Sequence, residues 1–138
     1  TVSGGTNNTT AESTQTMIQV TLAYSAFQTA STVSTVTART LPANRSLFAL
    51  IVKHSQVFTG SSITALTLDV GISGDPTKFI NGFNVAQAVS ASAQDSSLVL
   101  YFPATATAIQ ARLTSTGANL TALNQGSLDM YFQETIVT

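Results

Sequence analysis

From Leu47 to Ile80 the sequence holds two strand-like runs, the turn between them and a glycine-punctuated loop, and this stretch more than any other limits what the chain can fold into. Leu47 to His54 interleaves two apolar series, Leu47/Ala49/Ile51 and Phe48/Leu50/Val52, which predicts a strand buried on both faces. Lys53 and His54 mark its exit to water. Ile63 to Ile72 puts Leu66, Leu68, Val70 and Ile72 on one face and Thr67, Asp69, Gly71 and Ser73 on the other, as a half-buried strand requires. Gly60-Ser61-Ser62 is the turn between them, and Ser73-Gly74-Asp75-Pro76 turns the chain again.

The same alternation recurs along the chain. Gln15 to Leu22 is a first strand, and Tyr24 to Ala30 fits no single class. Thr32 to Arg39 has strand propensity with weak apolar alternation, which predicts an edge strand guarded by threonines and a terminal Arg39. Phe79, Ile80, Phe83 and Val85 read as loop anchors or a short irregular strand, and Ala86 to Ser96 as either a helical turn or a loop. Leu98 to Phe102, stopped by Pro103, and Ala108 to Thr114 are further strands. In Ser127 to Val137, Leu128, Met130, Phe132 and Ile136 share one side with Glu134 as the polar intruder. Ser115 to Gly126 is too long for a tight hairpin, and Leu120 and Leu123 would dock it on the barrel end or on a neighbouring subunit.

Seven or eight strands with no long helical period predict a single-domain all-β sandwich or barrel, with a jelly roll the first choice. The domain spans residues 15–138. Residues 1–14 are almost free of apolar side chains and, taken alone, form a flexible N-terminal arm. The chain begins at Thr1 without Met, so an initiator or a longer leader is expected to have preceded it.

Composition narrows the function. Only 8% of residues are charged, against about 25% in an ordinary domain. The polar faces fall to 23 Thr and 16 Ser, and Thr also favours strands. With five Lys+Arg, six Asp+Glu and no basic block, nucleic acid is not an expected partner. A surface poor in charge repels its neighbours weakly, which suits a protein packed into an assembly. No run approaches a membrane span, and no membrane partner is expected.

The chemistry expected of the chain is not catalytic. Without cysteine there is neither a thiol nucleophile nor a cysteine metal site. His54 is the only histidine, no GxSxG elbow accompanies it, and it reads as a polar strand-end residue. Asp69 and Asp75 flank a glycine-rich turn without calcium-loop spacing and read as a solvent-facing and a turn-stabilising residue. Gly71-Ile72-Ser73-Gly74 lacks the GK[ST] ending of a phosphate-cradling loop. Sequons at Asn7, Asn8, Asn44 and Asn119 are chance products of a Thr/Ser-rich chain. The expectation is no enzyme, no cofactor and no metal. Tyr24, Tyr101 and Tyr131 read as core-edge residues that could alternatively stack on sugars.

Two segments carry a resemblance: VKHSQVFTGSSITALTLDVGISGDPTKFINGFNV (Val52 to Val85) and ARLTSTGANLTALNQGSLDMYF (Ala111 to Phe132). Lys53-His54-Ser55, Ile63 to Gly71, Lys78, Phe79, Phe83 to Val85, Thr116 to Leu120, Leu123, Gly126 and Ser127 resemble a group of small structural proteins of tailed bacteriophages. Asn84 stands where an aspartate is common in that group. The resemblance implies a β-sandwich virion component, a capsid decoration or cement protein on the capsid surface. Its partners would be the major capsid protein and itself, as a homotrimer. The candidate assembly contacts are Thr6, Asn7, Asn8 and Thr9 of the arm, and Asn119, Leu120, Leu123 and Asn124 of the late loop. The alternative is a receptor- or glycan-binding module of a phage fibre or tail.

Overall fold

The computed structural model describes residues 14–89 and 94–136. They form eight strands: β1 (Thr14–Ala23), β2 (Val33–Leu41), β3 (Arg45–Gly60), β4 (Ala65–Ile72), β5 (Asp75–Asn84), β6 (Gln94–Tyr101), β7 (Thr107–Thr116) and β8 (Leu123–Ile136). Short 3-10 turns lie at Tyr24–Phe27 and Leu120–Ala122. Two four-stranded sheets result, in the orders β1-β8-β3-β6 and β2-β7-β4-β5, and every pairing is antiparallel.

The topology is that of one long ribbon rolled up. The pairs β1·β8, β2·β7, β3·β6 and β4·β5 nest around a tip at Ser73-Gly74, and the pairs β3·β8 and β4·β7 seal the roll. This is the jelly-roll order, a β-sandwich of two Greek keys. At the tip Gly74 takes φ +86, a conformation a glycine adopts without strain. Gly71, in the supposed phosphate loop, serves the same hairpin: a Cβ there would lie 2.2 Å from the Asp75 carbonyl oxygen, so only glycine lets the strands cross so closely.

The core lies between the sheets and is built from one face of each strand: Leu50 and Val52, Leu128, Met130 and Phe132 from one sheet, Leu66, Leu68 and Val70, Ile109, Ala111 and Leu113 from the other. A two-layer sandwich gives each sheet a single inner face, which corrects the expectation that β3 is buried on both sides. Phe48, Ala49 and Ile51 are only half-buried. Pro76 sits on β5, an edge strand where its missing N–H costs no ladder bond. β5 itself is a ten-residue strand rather than a set of loop anchors. An extra residue between Ile80 and Phe83, accommodated at Gly82 with φ +76, breaks the alternation that would have announced it. β6 begins at Gln94, inside the stretch that fitted either a turn or a loop.

Candidate functional site

β8 carries Glu134 into the core in step with Leu128, Met130 and Phe132, and the side chain is completely buried. Two arginines meet it there. From β2, in the opposite sheet, Arg39 donates from Nε to Oε2 at 2.6 Å and from Nη2 to Oε1 at 2.8 Å. Arg45, at the start of β3, donates from Nη1 to Oε1 at 3.1 Å. Burial pushes the carboxyl towards protonation, but the bonds from Arg39 and then Arg45 outweigh it and hold the carboxyl below its ordinary value. Arg39 is therefore not the edge guard expected of it. The register shift between Thr37 and Arg39 re-aims it inward, where it ties the two sheets together.

A second ion pair corrects Asp69. Rather than facing solvent, it is nearly buried, accepting from Arg112 Nη2 at 2.7 Å and Nε at 3.1 Å on β7 and from the Gly82 N–H at 2.8 Å on β5. One carboxylate thus spans three neighbouring strands.

His54 is corrected as well. It is fully buried in the middle of β3, not at a strand end. Its Nε2 lies 2.7 Å from the Gln87 carbonyl oxygen, its ring stacks edge-on against Phe83 at 5.6 Å, and Nδ1 has no partner among the described residues. The ring pins the chain leaving β5 onto β3, beside the Phe58 N–H to Val85 carbonyl bond. The alternation Leu50, Val52, His54 was the signal that could have placed it inside.

The late loop shortens to residues 117–122, because β7 runs to Thr116 and β8 starts at Leu123. Leu120 is 0% and Leu123 3% exposed, both packed into the chain's own core, so neither is available to a neighbour. Of the candidate contacts here, Asn119 on the loop and Asn124 at the start of β8 remain exposed, with Asn124 accepting from the Thr59 hydroxyl. Thr6, Asn7, Asn8 and Thr9 lie outside the described residues. Their attachment point, Thr14, is paired with Ile136, whereas Leu123 is paired with Gly60, so the two groups of candidates are joined to opposite ends of the sandwich.

Three glycines of the resembling segments, Gly60, Gly117 and Gly126, are fitted to this end of the roll. A Cβ on Gly126 would lie 2.4 Å from Phe58 Cγ, one on Gly117 2.3 Å from the Ser62 carbonyl oxygen, and one on Gly60 2.5 Å from that of Ala122. Those segments hold the fold together.

All three arginines are thus spent on Glu134 and Asp69, and the described surface keeps few charges: Lys53, Lys78, Asp75 and Asp129. Tyr101 turns inward against Phe79 with Lys78 over its ring, while Tyr131 faces outward between the buried Met130 and Phe132. The two tyrosines lie on opposite sides of their sheet and form no common platform. Among the described residues no three His, Asp or Glu side chains gather as a metal set, and no helix is long and apolar enough to cross a membrane.

No family model matches the chain, and no curated protein matches it. Among solved structures it is similar to a chain of the cyanophage Pam1 capsid asymmetric unit, with a TM-score of 0.63 at 18% identity over 100% of this chain and 98% of that one. It is also similar to a chain of the acidic stable capsid structure of Helicobacter pylori bacteriophage KHP30, with a TM-score of 0.54 at 14% identity over 88% and 93% of the two chains. At these identities the likeness is one of fold: a single-domain jelly-roll sandwich.

Proposed function

We propose that this chain is a virion structural protein of a tailed phage. More narrowly, it is a decoration or cement subunit that binds the outer capsid surface as a trimer, stabilises the shell by subunit contacts and catalyses nothing. The observation that carries the reading is the extent of the two matches. Each covers nearly the whole of both chains, so the similar chains in those capsid structures are small subunits of this one's size. The surface agrees with it. A roll with its arginines turned inward and a Thr-rich exterior has little charge to repel identical neighbours.

The glycan-binding alternative rested on aromatic side chains collected at one end, and Tyr101 and Tyr131 are separated by their own sheet. The test is the copy number of the chain relative to the major shell protein in purified particles. A ratio near one supports decoration. A few copies at a single vertex would transfer the chain to a tail or fibre, and absence from particles would refute a virion role.

A further inference from the structure

The edge strands β5 and β1 are finished differently. On β5, an edge strand, Phe79, Ile80 and Phe83 are buried and Tyr101 lies against Phe79 at 5.6 Å, although Phe102, just past β6, is 58% exposed. On the β1–β2 flank the core runs out into water. Ile18, Val20 and Leu22 of β1 pair with Phe132, Met130 and Leu128, which are fully buried, yet are themselves only half-buried. Val36 and Ala38 of β2 are likewise half-buried, and Met17 on the outer side of β1 is 56% exposed.

The backbone edge of β1 is also unguarded. β1 and β2 are each the last strand of their sheet, and among the described residues nothing bonds to the outer edge of β1. A free edge presents a row of unpaired N–H and C=O groups, and proteins ordinarily blunt it with lysine, proline or a bulge. β5 has Pro76, Lys78 and the Gly82 bulge. Thr14–Ala23 has ten residues without a charge, a proline or a glycine, and the one charge on β2, Arg39, is turned inward to Glu134.

We infer that the β1–β2 flank is an interface between copies of this chain. Size and charge both select this occupant. Ten extended residues run about 34 Å, and two sheets about 10 Å apart with their side chains make a flank some 20–25 Å wide. The product, roughly 680–850 Å², is close to the ~800 Å² per partner of a standard stable interface. A flank without charge offers an oppositely charged partner nothing to read, and two copies of it bring no like charges together. The inference rests on the reading of the chain as a self-associating subunit and names the surface by which it does so.

The test is the mass of the purified full-length chain by light scattering at about 100 µM, a concentration that populates any association with Kd near 10 µM. The wild type runs as an oligomer. Met17→Lys/Gln19→Lys, which places two lysines on exposed outward positions of β1, runs at the 14.3 kDa of a single chain with an unchanged circular dichroism spectrum. Asn81→Lys, on the exposed side of β5, stays oligomeric. A monomeric wild type, or a double variant that remains oligomeric, overturns the inference. Oligomers that depend on β1 yet never occur in particles uphold this interface and refute the virion role, whereas particles carrying a chain that is monomeric when purified do the reverse.

Discussion

Arg39 and Glu134 sit on different sheets of the sandwich and are joined across it by two parallel hydrogen bonds, 2.6 and 2.8 Å long. A carboxylate buried this completely is stable there only while its cations are present. Removing one side of such a group leaves the other charge unpaired in the core, at a cost of about 3–5 kcal/mol. Glu134→Ala, which strands both Arg39 and Arg45, is expected to lower the unfolding free energy by that amount in urea titrations. The double change Arg39→Met/Glu134→Leu is expected to recover the part due to Arg39, while Arg45 stays without its partner. A double variant no more stable than Glu134→Ala would show that the pair is not the source of the effect.

The same pair sets an acid limit. The folded Glu134 carboxyl titrates below the 4.5 of the free group, so between those two values the unfolded chain binds a proton that the folded chain does not. Its contribution is complete above about pH 4.5 and is lost as pH falls through the folded value. Thermal midpoints measured from pH 7 to pH 3 should be level and then fall, and Glu134→Gln should start lower and fall less. Parallel profiles for the two proteins would count against this assignment.

Two glycines with positive φ should respond differently. Gly126 has φ +143 and lies against the Phe58 ring, so Gly126→Ala adds a clash to an unfavourable backbone conformation and should cost about 2–5 kcal/mol. Gly74 has φ +86 with open space around it, and Gly74→Ala should cost only about 1 kcal/mol. Chemical denaturation of the two variants side by side decides this, and equal losses would mean that ring contact at 126 adds nothing.

Much of the fold was legible in the sequence because a strand records its inner face every second residue. β1, β4, β7 and β8 were readable within a few residues, and Glu134 could be seen pointing inward with Phe132. The pattern failed wherever a bulge changed the parity. β5 was hidden by the extra residue at Gly82, and Arg39 was assigned to solvent because the shift after Thr37 turns it around. His54 was misread for another reason. Beside Lys53 it looked like a polar strand end, although its parity with Leu50 and Val52 placed it in the core.

The sequence by itself determined most of the strands, the all-β class and the scarcity of charge, since each is written in spacing or composition. Which charges meet was decided only in three dimensions. Arg39 and Glu134 stand 95 residues apart, Asp69 and Arg112 43 apart, and no local pattern couples them. The difference between the β5 edge and the β1 edge was decided there too, because the burial of an edge residue depends on the strand opposite, and the rolling of the ribbon sets Tyr101 against Phe79 while leaving Ile18, Val20 and Leu22 half in water.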